Sequence, residues 1–504
     1  MKTLFRAARV HTLGHPPLGE WVLVDGRHVQ RVGAGEPPAA DRVVELPGCT
    51  ILPGFIDAHV HLTSIGADTA NEDVAAVDSG RELLAIAAAR AGDDTEHVVS
   101  LQGYDESRWS DPTLPSLAEL DAVTSEPLVI RRTDGHVALV NSAALTFAEA
   151  LDTPGVDRDT DGRPSGIVTR EANRQVAMWV ASSRTVHHIE ELQLLGAGVA
   201  ATHGVTAVHE MALPLESGMR DVEVLLAHRA RLPVAVEVVL GTMDVPKAVE
   251  LHLSAIGGDL AADGSIGART SALTRPYADR PETGVTYFDD EVLEGFFHDG
   301  HGAGLQVGMH AIGDRAIEQV LRAWESVYHR LDSRERRHFR ARRHRIEHFE
   351  MPTAEHMERA AMLGLAVSMQ PTFDLEWGHP GGLYAQRVGA ERAHAMNPLR
   401  LLLDRGVVVG VGSDAPVVPM DPWLTIHAME HHHDASQRLT RAESIRLHTA
   451  GSARLAHQEE KKGVLEPGMH AELVAYDVDP LTVEDVRTLR PTMTVSLGRE
   501  VWLA

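Results

Sequence analysis

Three polar side chains recur at every second position of the stretch GFIDAHVHL, residues 54–62: Asp57, His59 and His61. Side chains alternate sides along an extended chain, so these three share one face. Two imidazoles and a carboxylate on an otherwise apolar strand either satisfy one another in the core or bind something. Together they are the ligand chemistry of Zn²⁺ and other divalent transition metals. The pair His59-x-His61 is weak evidence alone, because 30 histidines in 504 residues yield about two such pairs by chance, and His431-x-His433 is another.

Three later apolar runs end the same way: QVGMHAIGD carries His310, HRIEHFE carries His348, and VVVGVGSDAP carries Asp414. A single histidine at a strand end is more often a hydrogen-bonded core or rim residue. If all these ends meet at one mouth, however, four imidazoles and a carboxylate converge, and the set points to a metal centre far more strongly than its members do.

The elements that must position them alternate along the middle of the chain. Strand-like runs at 54–61, 204–211, 233–240, 257–264, 305–314, 344–351, 365–372 and 407–416 are separated by helical patterns. DRAIEQVLRAWESVYHRL and PTAEHMERAAML, for example, are apolar at i, i+3, i+4 and i+7. Eight β/α repeats predict a closed parallel barrel whose catalytic residues sit at the C-terminal ends of the strands; a doubly wound sheet is the alternative.

Residues 63–190 break the rhythm and read as an inserted subdomain. Residues 1–53, with an Asp25-Gly26 hairpin turn, and 459–504 are both strand-turn-strand. The expected fold is an α/β (β/α)8 TIM-like barrel, with strand one at 54–62 and the remainder at 191–458. A small composite β-sandwich domain is expected from the two ends.

The net charge of −25, from 72 acidic and 47 basic residues, argues against nucleic acid or an anionic membrane as the main partner. One cysteine, Cys49, leaves no intramolecular disulfide and no CxxC site. The opening MKTLFRAARVHTLG has arginines interrupting any apolar run, unlike a secretory signal. No run reaches the ~20 apolar residues of a membrane span. The expected setting is cytoplasmic, with a small-molecule substrate and a homodimer as one option for assembly.

LPGFIDAHVHL, MHAIGDRAI, RIEHFEM and GVGSDAPV resemble the metal-binding strands of the amidohydrolase superfamily. GYDESRW, PTLPSLAELDAV, RRTDGHVALVNSAAL, GVTAVHEM, ADGSIGARTSAL and LEPGMHAELVAYDVDP resemble its branch of N-substituted formamide deformylases and D-aminoacylase-like enzymes. The resemblance covers essentially the whole chain. It implies a distorted barrel, one or two divalent metals (Zn first, Fe or Mn as options), and hydrolysis of amide-like bonds.

One departure matters. Members with two metals often bridge them with a carboxylated lysine on strand four, where this chain has Asp259. The only lysines are Lys2, Lys247, Lys461 and Lys462. Three options follow: Asp259 bridges directly, Glu210 reaches in from the end of strand two, or a single metal binds.

The expected metal ligands are His59, His61, His310, His348 and Asp414. Asp414 is the expected general base, taking the proton of the attacking water and passing it to the leaving nitrogen. Candidate substrate contacts are Asp134 and His136 in RRTDGHVALVN, Arg269 after strand four, and Trp109 as a pocket wall; the bland reading of Arg269 is a loop staple. Asp263-Gly264 reads as a structural turn, and the histidines of HAMEHHHD as a solvated helix face. Rival functions are deamination, ester or lactone hydrolysis or isomerisation at the same site, or a non-catalytic binding protein on the same barrel.

Overall fold

The computed structural model describes residues 1–504 except 71, 92–97 and 133–136; the side chains of 72 and 73 are likewise not described. The chain divides into two compact units. The first comprises Met1–Leu62, Gly196–Leu213 and Leu226–Ala504, and the second Thr63–Leu195 and Pro214–Leu225.

An eight-stranded parallel sheet dominates the first unit. Its strands, in chain order, are Phe55–Val60, Val205–Ala212, Ala235–Leu240, Ala255–Ile256, Gln306–Ala311, Arg345–His348, Ala366–Met369 and Val408–Val411. Strands one and two are buried at every position, as expected where helices cover one face and other strands the opposite one. The helices show the matching stripe: Asp314–Arg330 buries Ala316, Ile317, Val320, Leu321, Trp324 and Val327.

Strand eight closes on strand one through Asp414 N–H to the His59 carbonyl (2.8 Å) and His61 N–H to the Ala415 carbonyl (3.0 Å). Gly412 permits the approach, since a β-carbon there would lie 2.5 Å from the His59 nitrogen. The fold is thus the nearly closed barrel that the alternating pattern predicts.

Strand four differs from expectation. It is only the two residues Ala255–Ile256, and the run GGDLAADG follows it as a connection. Gly257 and Gly258 have φ of +83° and +57°, which cannot continue a pleat. A β-carbon on Gly257 would lie 2.1 Å from the Gly308 oxygen. The chain therefore runs close beside strand five, pairing through His310 N–H to Leu260 O and Ala262 N–H to His310 O.

Both termini share one seven-stranded sheet, ordered Arg499–Leu503, Met493–Ser496, Leu473–Tyr476, Arg42–Pro53, Lys2–His11, Leu18–Asp25, His28–Gly33. Phe5, Val22, Ile51, Leu473 and Val495 form its core.

The second unit has a six-stranded mixed sheet, from Val156–Arg158 at one edge to Glu72–Asp73 at the other. Leu83, Leu101, Tyr104, Trp109, Leu120 and Ile130 pack on it. No helix among the described residues is long and apolar enough to cross a membrane.

Candidate active site

Strands one, five and six deliver imidazoles to one mouth, and the segments that follow strands four and eight deliver carboxylates. His59, His61, Asp259 and Asp414 bring ligand atoms within 4.8 Å of one another, and Asp259, His310 and His348 form a second such group. Asp259 belongs to both. Its Oδ1 lies 3.0 Å from His310 Nδ1, 3.2 Å from His348 Nε2 and 3.7 Å from His59 Nε2, and its Oδ2 lies 3.5 Å from His61 Nε2. Asp414 Oδ1 lies 3.2 Å from His61 Nε2 and 3.4 Å from His59 Nε2.

The rings are aimed by what holds their other nitrogens. His61 Nδ1–H donates to the Met211 carbonyl (3.0 Å), and His348 Nδ1–H to Gln370 Oε1 (2.8 Å). His59 Nδ1–H donates to Glu347 Oε2 (3.1 Å), whose carboxylate is gripped by Arg345 through Nε and Nη2, each at 2.8 Å. Each of these bonds turns Nε2 toward the carboxylates. Local backbone strain helps: His348 and Asp414 both sit at positive φ, +68° and +61°, where their strands end.

Electrostatics tie the group together. Burial alone pulls the His61 imidazole down, but the hydrogen bond and charge of Asp414, then the charge of Asp259, push it up to about 9. His310 is likewise lowered by burial and raised more strongly by its hydrogen bond to Asp259, ending at about 9. Burial works to raise the Asp259 carboxyl, yet His59, His310 and His348 hold it well below the carboxylate range. Glu347, which burial would also raise, is held at about 2, first by the Arg345 charge and then by His59.

The donor set fits a divalent cation. His59 Nε2 is buried and lacks a hydrogen-bond partner among the described residues, although two carboxylates flank it. Imidazole nitrogens with carboxylate oxygens suit Zn²⁺, Mn²⁺ or Fe²⁺.

Several expected contacts lie elsewhere. Glu210 does not join the cluster: its carboxylate accepts the Leu62 N–H (2.7 Å) and fixes the turn after strand one. Arg269 forks onto Asp279, with Arg387 on the same carboxylate, the loop contact that its bland reading expects. Trp109 is buried against Tyr104 in the second unit's own core, not a pocket wall. Asp134 and His136 lie outside the described residues.

Asp263 is more than a turn residue. Its buried carboxylate accepts the N–H groups of Ile312, Gly313 and Ala272, tying the connection after strand four to the end of strand five. Asp57 belongs to neither ligand group, and its Oδ1 accepts the backbone N–H of His59 and of Ser413.

The expectation of a solvated histidine face holds for exposed His431 but fails for His432 and His433. Both lie against buried Asp374. This trio could in principle hold an ion, but its ring nitrogens are already in use. His432 accepts the Asp434 N–H and donates to the Asn397 carbonyl, and His433 bonds Asp374 and the His394 carbonyl. It anchors the π-helical turn Asp374–Gly378 that follows strand seven.

Arg345, Glu347 and Gln370 escaped the sequence reading. The signal for the first two was present in HRIEHFE: two opposite charges two apart on a buried strand face one side and need each other.

Comparison with known proteins identifies the family. A family model described as "Amidohydrolase family" matches residues 42–502. The Bacillus subtilis protein YtcJ is 28% identical over 492 residues, covering 91% of this chain and 90% of its own length. The N-substituted formamide deformylase of Arthrobacter pascens is 24% identical over 515 residues, covering 92% and 89%. An uncharacterized metal-dependent hydrolase from Pyrococcus furiosus superposes with a TM-score of 0.81 at 25% identity, covering 96% of this chain and all of that one.

Proposed function

The chain belongs to the amidohydrolase family, and from that premise we propose that it is a metal-dependent hydrolase of a non-peptide, amide-like C–N bond in a small molecule. N-formyl and N-acyl amines are the first candidates, the former supported by the name of the deformylase relative. The observation that carries the reading is the buried His59 Nε2, which has no hydrogen-bond partner among the described residues and lies between the carboxylates of Asp259 and Asp414.

His59, His61, Asp414 and Asp259 would hold one cation, and Asp259, His310 and His348 a second, with Zn²⁺ the expected metal. Such a cation supplies a Lewis acid that polarises a carbonyl and makes water acidic enough to attack near neutrality.

The remaining chemistry belongs to the side chains. An amine cannot leave as an anion, so the proton lost by the attacking water must be kept and returned to nitrogen. Asp414 is placed for that shuttle, its Oδ1 at the mouth and its backbone fixed to strand one. Glu347 and Gln370 keep His59 and His348 in the tautomers that present Nε2.

The test is a panel of N-formyl, N-acyl and N-carbamoyl amines offered to the protein loaded with Zn²⁺, Mn²⁺ or Fe²⁺. Turnover that disappears in His59→Ala, together with metal content by elemental analysis, supports the reading. A fully metal-loaded protein inert toward every amide sinks it.

A further inference from the structure

The stretch SRERRHFRARRHR, residues 333–345, holds seven arginines and one glutamate in a chain whose net charge is −25. Only two of the seven, Arg343 and Arg345, meet a carboxylate at ion-pair distance among the described residues, Glu459 and Glu347 respectively. An acidic protein that concentrates arginines in one place, most of them without a counter-charge, raises the question of what they face.

Two of them face a cavity. Its volume is about 450 Å³, and Arg340, Arg343, Arg454 and Glu459 line it together with apolar Leu365 and Val408. Arg340 and Arg454 are exposed and make no ion pair or side-chain hydrogen bond among the described residues. Arg343 is mostly buried and held in place, its Nη1 and Nη2 both bonded to the Glu459 carboxylate, the second at 3.1 Å from Oε2. Three guanidinium groups against one carboxylate leave the lining with an excess of positive charge.

Helix dipoles explain part of this. Arg340 is in the last turn of Ser333–Arg342 and Arg454 in that of the short helix Ser452–Leu455, where a cation offsets the partial negative charge of the helix end. That reason applies to each residue separately. It does not account for their meeting Arg343 around one cavity, where like charges repel and an anion would offset the repulsion.

The cavity lies at the end of the barrel opposite to the catalytic cluster. Arg343 stands two residues before strand six, Leu365 one before strand seven, and Val408 opens strand eight. His348 and Asp414 stand at or beyond the other ends of strands six and eight. A ligand held here is therefore not the substrate at the cluster. The volume suits a small molecule, and the planar fork of arginine matches a phosphate group, taking two of its oxygens at a time.

We propose that this cavity binds a phosphate-type dianion, either free phosphate or the phosphate group of a small phosphorylated molecule. Arg340 and Arg454 supply the free fork donors, and Arg343, fixed by Glu459, adds the third positive charge. The site stands apart from the hydrolase reading and can be tested without turnover.

Calorimetric titration of the metal-loaded, full-length protein with glycerol 3-phosphate, inorganic phosphate and glycerol, at fixed ionic strength, is the direct experiment. Glycerol 3-phosphate is expected to bind at least about 100-fold more tightly than glycerol. Inorganic phosphate binding equally well marks a free-anion site, and weaker binding of it marks a site for a phosphomonoester; either result supports the proposal. Because phosphate also ligates metals, the variants decide where it binds. Arg340→Gln and Arg454→Gln, both exposed and far from the mouth, should each weaken glycerol 3-phosphate by about tenfold at unchanged metal content. Binding no tighter than that of glycerol overturns the proposal, as does an affinity that the folded double variant leaves intact. If the double variant does not fold, the single variants decide, and an undiminished affinity in both overturns it.

Discussion

Glu347 Oε2 lies 3.1 Å from His59 Nδ1, with both side chains fully buried. Arg345 closes the other side of that carboxylate and reaches the Ala58 carbonyl (3.0 Å) and His209 Nδ1 (3.2 Å). The chain of contacts runs from the interior of the barrel to the mouth and fixes which nitrogen of His59 faces outward. Glu347→Gln should therefore weaken metal affinity by about 10–100-fold. It should also lower stability by about 3 kcal/mol, because Arg345 is left buried without its counter-charge. Metal titration and chemical denaturation check the two effects, and a variant unchanged in both refutes the role.

Asp414→Asn separates proton transfer from metal binding. His59, His61 and Asp259 remain in its own group and His310 and His348 share Asp259 in the other, so metal content by elemental analysis should stay close to that of the parent protein. Turnover should fall by about 10²–10⁴-fold. Retained turnover would remove Asp414 as the base.

Asp259 brings to both ligand groups a carboxylate that needs no carbon dioxide to form. Metal loading should accordingly be indifferent to bicarbonate, whether it is stripped from the buffer or added in excess. Asp259→Asn should cost at least the ~10–100-fold in metal affinity typical of losing a partner one shell further out. A bicarbonate-dependent occupancy would contradict the direct-carboxylate arrangement.

Although burial lowers both, the carboxylates of Asp414 and Asp259 push His61, and that of Asp259 pushes His310, up to about 9 from their ordinary 6.5. A group whose folded-state value is raised favours folding while it is protonated. Its contribution is complete below about 6.5 and disappears as the pH climbs through about 9. The same protons compete with a cation, so metal affinity should rise with pH across that interval and binding should release protons. Calorimetry in buffers of different ionisation enthalpy counts them; binding without proton release would show that these imidazoles are not metal ligands.

Glu210 offers a contrast within strand two. Glu210→Ala should leave the Leu62 N–H without its acceptor and lower stability by about 1–3 kcal/mol. Metal content should not change, because the cluster does not include this carboxylate. Loss of metal in a stable variant would return Glu210 to the list of ligands.

How legible the site was depended on the kind of element carrying each residue. His59, His61, His310, His348 and Asp414 stand at or just beyond the ends of apolar runs, and in a parallel barrel all such ends meet at one mouth. Their convergence follows from period, order and topology. Residues on connections were harder. Asp259 follows strand four, where Gly257 and Gly258 stop the strand after two residues and press the next residues against strand five, a path that no side-chain pattern predicts. Arg269 had a suitable side chain for a substrate clamp, but its partner Asp279 lies ten residues on across a loop whose path no periodicity describes.

The linear order of residues thus determined the eight-stranded architecture and the identity of the histidines, because burial and alternation are local properties that repeat along the chain. Only the tertiary structure decided which carboxylate joins them, which nitrogen each ring presents, and that Arg345 and Glu347 stand behind His59. Those choices depend on distances between segments far apart in sequence, set by the closing of the barrel and by backbone turns that side-chain patterns do not encode.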